Sequence, residues 1–410
     1  MRDTDLYAQI LGLRSPWRVD NVVLDRIEGE VTVHVVATEQ RWCCPECSKP
    51  AVGYDRRVRR WRHLDTMQYR TILEAEVPRV KCGEHGVRTV QVPWAEPGSG
   101  FTALFEALVI DWLHEASIKA IAGMLGLSWG AVDRIMQRAV ERGLQRREDI
   151  YPQNIGVDET SFQKRHEYVT VVTDQDQARV LYVADDRTKG SLSAFYNTLS
   201  EPQLKGIRSV AMDMWQAYIK ATEQAIPDAG NKISFDKFHV AKYLGDAVDR
   251  VRRKEHVQLL GAGDKQLSGS RYQWLTNPDN MSREQKRHFS ALRDSTLKTA
   301  RAWAIKQEAM SCWNYQTRGW ANKAWQRVLS WMQRCRLEPM KKVGMMIKKY
   351  LWGILNAIAL DSHNGHSESM NSRIQRLKRR ACGFRSRERF RNAIYFHCGG
   401  LNLYPKTLDL

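Results

Sequence analysis

After Pro152 the hydrophobic period of this chain changes from 3.6 to two, and no other feature constrains its fold as much. NIGVDETSF, YVTVVTD and ARVLYVAD follow one another with polar turns between them, the pattern of three hairpin-linked strands. Next are expected a helix from Ser191 to Leu199, a strand from Ile207 to Met212 and a helix from Trp215. A short strand from Lys232 to Phe235 and a helix from His239 through KYLGDAVDRVRRKEH complete the series. Three antiparallel strands followed by alternating helix and strand set the first and fourth strands side by side, the arrangement of an RNase H-like mixed sheet. Asp158 lies in the first of these strands and Asp213 closes the fourth. A carboxylate on a central strand is costly unless it is paired or binds a cation, so the two point to a Mg2+ site at the sheet's end. The alternative is that Asp158 and Glu159 open a turn while Asp213 caps the helix at Trp215.

Ahead of this region the chain has a different character. Residues 21–37 read as two strands around Glu28-Gly29, and alternation returns from Thr71 to Val80, giving a small β-rich module. Four of the eight cysteines fall there. Cys44-Pro-Glu-Cys47 and Cys82-Gly-Glu-His85 are two pairs at one spacing, and together they offer the four donors of a structural Zn2+ site, with Cys43 able to stand in for Cys44. A local metal site suits a reducing compartment better than a disulfide framework does. Between the pairs, Arg56, Arg57, Arg59, Arg60 and Arg62 surround Trp61 as a face for phosphates. Pro93 to Gly100 is a linker by composition. Phe101, Leu104, Phe105, Leu108, Val109 and Trp112 then form one helical stripe. Two further helices follow, parted by a turn at 126–128, with Ser128 as N-cap of the second. This is helix-turn-helix grammar, and Trp129, Asp133, Arg134, Gln137 and Arg138 are candidates for its exposed, DNA-reading side; an ordinary helical hairpin has the same pattern.

From about Leu259 to Lys349 no strand pattern appears, and six tryptophans in a polar, helical stretch read as a helical insertion. The final helical region carries the third acidic candidate. Met370, Ile374, Leu377 and Ala381 form an apolar stripe, while Glu368, Asn371, Ser372 and Gln375 occupy the opposite side of that helix. From Asn371 to Arg391, nine of 21 residues are Lys or Arg, so Glu368 is bordered by a phosphate-binding surface that includes Arg373, Lys378, Arg379 and Arg380.

Composition agrees with a nucleic-acid partner. The 410 residues carry 64 Lys and Arg against 46 Asp and Glu, a formal charge of +18, yet 14 tryptophans and 43% hydrophobic residues exclude a disordered basic tail. No run approaches 18 uncharged apolar residues and no cleavable apolar leader is visible, so a cytoplasmic, nucleoid-associated protein is expected, without a membrane partner.

Seven segments in order resemble one family: CPEC (44–47), WRHLD (61–65), VPRVKCGEHGV (77–87), GVDETSF (156–162), AMDMW (211–215), FDKFHVAKYLGDAVDRVRRKE (235–255) and SESMNSRIQRLKRRACGFR (367–385). The chain resembles the bacterial insertion-sequence transposases of the ISL-three family, whose members join a zinc-binding segment and a helix-turn-helix to an RNase H-like domain of the DDE type. The resemblance implies a multidomain α/β chain, with boundaries expected at 1–93 for the zinc module, 100–145 for the helix-turn-helix and 152–258 for the first part of the catalytic domain. The insertion is expected at 259–349 and the C-terminal helical part at 350–401. It implies Asp158, Asp213 and Glu368 as a triad holding two Mg2+ ions, or Mn2+, for cleavage at terminal inverted repeats and strand transfer into target DNA. Asp236 and His239 are expected to support that site, and a homodimer or higher oligomer to assemble on double-stranded DNA. A nuclease or resolvase on the same sheet, or a non-catalytic DNA-binding regulator, are the alternatives.

Overall fold

A computed structural model describes residues 2–39, 41–163, 167–361 and 365–406, and the side chains of residues 365–368 fall outside the description. Two units are resolved, Met1–Glu148 with Tyr395–Leu410, and Asp149–Ile394.

The first unit opens with α1 (Asp3–Ile10) and a sheet built from β1 (Trp17–Asp25), β2 (Glu30–Ala37), β3 (Trp42–Cys43), β4 (Pro50–Thr66), β5 (Tyr69–Cys82) and β6 (Gly86–Thr89). The order is β1-β2-β5-β4-β3, with β6 on β5, and only the β2–β5 pairing is parallel. The arginine-rich run that the sequence offers as a surface is thus a strand of 17 residues. Its charge hides the alternation that carries Trp61 into the core, where Trp94 meets it edge-on with ring centroids 5.4 Å apart. Val33, Leu73 and Val77 complete this core.

Next come α2 (Ala103–Glu115), α3 (Ile118–Leu125) and α4 (Trp129–Gln145). Ser117 and Ser128 cap α3 and α4, accepting from the amides of Ala120 and Ala131 at 3.3 and 3.2 Å. Gly126 makes the turn between them at φ 62°, a left-handed conformation open to glycine at little cost. The inner face of α2 is rotated from the expected stripe: Phe105, Val109, Ile110 and Leu113 are buried, and so is Glu106, whereas Leu104, Leu108 and Trp112 are only half-buried. A carboxylate on the inner face is invisible to apolar periodicity, and ion pairs with α4 are what keep it there. The C-terminal segment also belongs to this unit. Arg142 of α4 donates from Nε to the Leu403 carbonyl at 3.0 Å, and the Tyr404 hydroxyl donates to Asp111 at 2.6 Å. The expected end of the catalytic part at 401 therefore moves back to Ile394.

The second unit is built on β7 (Asn154–Gln163), β8 (Glu167–Asp174) and β9 (Arg179–Asp185), followed by α5 (Lys189–Tyr196), α6 (Glu201–Gly206), β10 (Ser209–Met212), α7 (Gln216–Ala225), α8 (Ala229–Lys232) and β11 (Ile233–Phe235). The sheet order is β11-β10-β7-β8-β9, antiparallel across β7-β8-β9 and parallel across β7, β10 and β11, which is the RNase H-like arrangement. α9 (Lys237–Gly261) begins on the side chain of Asp236, which accepts from the Phe238 amide at 2.9 Å. The helical insertion supplies α10 (Arg271–Leu275), α11 (Arg283–Arg293), α12 (Lys298–Ser311), α13 (Arg318–Arg334) and α14 (Glu338–Ala359). α14 runs unbroken through 349–350, so the boundary expected there falls inside a helix. Its Gly353 lies so close to β11 that an added Cβ would stand 2.4 Å from the Phe235 ring. α15 (Gly365–Arg380) and α16 (Arg387–Cys398) close the chain.

Candidate functional site

The two cysteine knuckles meet. Cys44 lies just past β3, Cys47 in the following turn, Cys82 at the end of β5 and His85 in the turn before β6, so the long β4–β5 ribbon carries the second pair back to the first. Cys44 Sγ and His85 Nδ1 are 3.8 Å apart, Cys47 Sγ and Cys82 Sγ 3.8 Å, and Cys82 Sγ and His85 Nδ1 3.6 Å. All four ligand atoms lie within 4.8 Å of one another. A tetrahedral zinc with Zn–S near 2.3 Å and Zn–N near 2.0 Å has edges of about 3.8 and 3.5 Å, so the four donors fit that ion. Backbone amides of Glu84 and His85, with the His85 side chain, hold the Cys82 thiol down to about 6, which favours the thiolate a metal needs. Cys43 is exposed and stands outside the set.

On the second unit's sheet, register aligns the acidic residues. Ala211 of β10 pairs with Gly156 of β7, so two residues on, Asp213 comes level with Asp158. Met212 pairs with Phe235 of β11, which brings Asp236 level with Asp213. Three aspartates thus stand on the carboxyl side of three parallel strands, where neighbouring chains are about 4.8 Å apart. Their surroundings differ. Burial pushes Asp158 up to about 6, against the opposing pull of the Glu159 amide and His239. Burial also opposes ionisation of Asp213, but the hydrogen bond and charge of His239 outweigh it and lower that carboxyl. His239 Nδ1 is 3.3 Å from Asp213 Oδ2, and its Nε2 is 3.9 Å from Asp236 Oδ2. Although burial disfavours its charge, this carboxylate company raises His239 to about 9.

The polar side of α15 faces β7. Asn371 Nδ2 donates to Asp158 Oδ2 at 2.5 Å, Gln375 Nε2 to Thr160 Oγ1 at 2.7 Å, and Lys378 Nζ to the Ser161 carbonyl at 2.8 Å. Glu368 lies one turn before Asn371 in this helix, and its side chain is outside the described residues. Met370 and Ile374 are buried as the apolar stripe requires, but Ala381 is exposed beyond the helix end. Lys378, expected on DNA, is engaged with Ser161; Arg373, Arg379 and Arg380 are exposed.

Among the N-terminal arginines, Arg56 and Arg57 are exposed on the β4–β5 ribbon, and Arg59 stacks over Trp61 at 5.3 Å. Arg60 pairs with Glu30 and Glu74. Arg62 is 9% exposed, pairs with Asp65 at 2.6 Å and covers the Phe105 ring. On α4, Trp129 and Arg134 are exposed and Gln137 donates to Glu141. Arg138 turns inward to Glu106 at 2.6 Å, because that buried carboxylate on α2 needs a counter-charge. The partner of Arg138 lies on another element, so spacing could not find it, whereas Arg62 is paired three residues along its own strand.

Arg187 joins this site without any signal in the sequence. Its guanidinium reaches Glu159 at 3.0 Å, beside Asp158, and is stacked on Tyr168 and Trp215. It sits in the turn after β9, where no local pattern distinguishes it from any solvent-facing arginine.

Comparison with known proteins agrees with this architecture along the chain. A family model described as a transposase, of the DDE type, matches residues 155–394. The helix-turn-helix domain of transposase family ISL3 matches residues 90–140, and the zinc finger of the transposases of IS204, IS1001, IS1096 and IS1165 matches residues 40–85. The transposase for insertion sequence element IS1557 of Mycobacterium tuberculosis is 28% identical, over 94% of this chain and 93% of its own length. The transposase for IS1001 of Bordetella parapertussis is 26% identical, over 88% of this chain and 89% of its own. No helix among the described residues is long and apolar enough to cross a membrane. The chain belongs to the ISL3 family of transposases, with a zinc module and a helix-turn-helix joined to a catalytic domain of the DDE type.

Proposed function

We propose that Asp158, Asp213 and Glu368 form the catalytic triad of this transposase and hold two Mg2+ ions, or Mn2+, between the middle of β7 and the residue just past β10. The observation that carries the reading is the register that brings Asp158 level with Asp213 on adjacent parallel strands. Carboxylates are hard oxygen donors, and burial raises the Asp158 carboxyl to about 6, so its charge is disfavoured until a cation compensates it. Bound Mg2+ would supply activation of the attacking water or 3′-hydroxyl and stabilisation of the leaving 3′-oxygen. The remaining work belongs to the chain's own side chains. Asn371 fixes one oxygen of Asp158, leaving the other directed by the Glu159 amide at 2.7 Å. His239, charged and held by Asp213, orients that carboxylate and offers a positive edge to the scissile phosphate. Arg56, Arg57 and the exposed residues of α4, Trp129 and Arg134, contact the terminal inverted repeats, while Arg373, Arg379 and Arg380 contact the phosphates near the cut. A homodimer or higher oligomer follows from the chemistry, since two ends of one element must be joined to one target.

The test is the full chain with duplex carrying its own flanking terminal sequences and Mg2+, with 3′-ends mapped. Asp158→Asn, Asp213→Asn and Glu368→Gln each keep shape while removing a charged ligand, so cleavage and strand transfer should both fall by several orders of magnitude with DNA binding kept. Glu388→Gln, an exposed acidic position in the same basic region, should cleave normally. Near-normal cleavage by Glu368→Gln would remove it as third ligand.

A further inference from the structure

α9 starts beside the carboxylates and carries one exposed face down its length. At 100° per residue, His239, Lys242, Asp246, Arg250, Arg253 and Lys254 fall within about 60° of a single line along the helix. All are exposed except His239, which is half-buried. The opposite face, with Val240, Leu244, Val248 and Val251, is in the core. α14 lies antiparallel beside it. Phe235, just ahead of α9, meets Tyr350 and Trp352 near the end of α14, with ring centroids 5.5 and 5.0 Å apart. At the other end Arg250, Arg253 and Lys254 meet Glu338, Pro339 and Lys342 across an open groove of about 430 Å³.

Four cations therefore face one carboxylate in this groove. Glu338 is occupied by Lys341 at 3.2 Å, and Arg253 leans on Asp249, leaving a surplus of positive charge. The lining offers no apolar anchor apart from Pro339, which does not suit a docked protein helix but does suit a polyanion. We infer that this groove holds the phosphate backbone of the duplex being cut, at a fixed distance from the scissile position. His239 to Lys254 spans about 22 Å at 1.5 Å per residue. Along the duplex axis that is about six to seven base pairs at 3.4 Å each. The distance rests on the carboxylate site being the catalytic one; the binding of phosphates does not.

The test uses the full chain without divalent metal, on the duplex of its own flanking terminal sequence, measuring affinity against salt and phosphate-ethylation interference. The variant carries Arg250→Gln, Lys254→Gln and Lys342→Gln. Its control carries Arg283→Gln, Lys286→Gln and Arg287→Gln on the exposed face of α11 and removes the same charge. Each lost phosphate contact lowers the slope of log affinity against log salt by roughly 0.9, so the groove variant should lose about 2.7 and the control nothing. Interference should also vanish at phosphates about six to seven base pairs from the cleaved bond mapped with the unaltered protein. An unchanged slope and interference pattern, or an equal loss in the control, overturns the inference; interference lost at another distance overturns the placement along α9. Should the triple variant not fold, Lys254→Gln and Lys342→Gln alone decide by the same criteria, at about 0.9 each. Asp158→Asn separates the two readings: normal cleavage by it defeats the triad while leaving the groove's salt slope to be judged independently.

Discussion

His63 illustrates how much a single buried side chain can set. It is 4% exposed on β4, and its Nδ1 is 2.9 Å from Thr102 Oγ1. Burial, helped by the charge of Arg62 and opposed by Asp65, pushes it down from its ordinary 6.5 to about 4. Because the folded value lies below the unfolded one, the unfolded chain binds the proton first. Stability of the first unit should fall as the pH drops from about 6.5 to about 4 and level off below, by up to about 3 kcal/mol over the whole window. Urea unfolding at stepped pH would measure this, and His63→Gln, which keeps a partner for Thr102, should flatten the slope. Glu106 is the acidic counterpart. It is fully buried, accepts from Ser99 Oγ at 2.7 Å, and balances Arg138 at 2.6 Å and Arg142 at 3.4 Å. Glu106→Ala strands the Arg138 guanidinium, while Arg142 keeps Glu96 and the Leu403 carbonyl, so a loss of about 3 kcal/mol is expected by denaturant titration, larger than any surface ion pair on this chain could give.

At the scale of elements, the zinc knuckle and α15 show two ways of fixing a structure from outside. The β-sheet of the first unit has its own core of Val33, Trp61, Leu73 and Val77, away from the metal donors. Cys82→Ala should therefore reduce zinc from about one per chain to almost none and lower the unit's melting temperature, yet leave strand content by circular dichroism nearly intact. Complete loss of sheet would mean that the metal, not the apolar core, holds the module together. α15 is held by side-chain bonds spaced along β7, at Asp158, Thr160 and Ser161. Residues Asn371, Gln375 and Lys378 recur at helical spacing while their partners lie on one strand, so the helix is fixed in both register and rotation. Gln375→Ala should cost about 1 kcal/mol, the worth of one hydrogen bond. Asn371→Ala should instead reduce cleavage by roughly 10- to 100-fold with little loss of stability, because it frees a carboxylate that must be oriented.

For the whole molecule the C-terminal segment carries the testable consequence. Residues from Tyr395 onward complete the first unit, with Leu403 3% exposed and its carbonyl on Arg142. Gly143 of α4 is closed over by Leu401, whose Cβ would stand 2.8 Å from any added methyl. Deleting residues 399–410 should leave Arg142 without one acceptor and uncover this face, at about 3 kcal/mol. Scanning calorimetry should show the first unit's transition moving down while that of the second keeps its place. A DNA-binding fragment cut at residue 145 would suffer the same loss.

Local signals were enough for a large share of this protein. The paired Cys-x2-Cys and Cys-x2-His spacing named the zinc donors, the period change after Pro152 gave the order of strands, and Ser128 marked the start of α4, because each signal is complete within a few residues. The resemblance of seven short segments supplied the family, and with it the triad proposed above, which spacing alone left open. Tertiary structure decided what depends on partners far apart in sequence. It chose Cys44 over Cys43, turned Arg138 inward toward a buried carboxylate on α2 and laid Arg62 over the Phe105 ring of that helix. It made a strand of an arginine run whose one buried tryptophan carries the packing, and bound residues from Tyr395 onward to a unit that begins almost 400 residues earlier. The physical reason is one of range. Periodicity and caps report which backbone conformation a segment prefers, whereas the cost of burying a charge is set by whether some distant residue arrives to balance it.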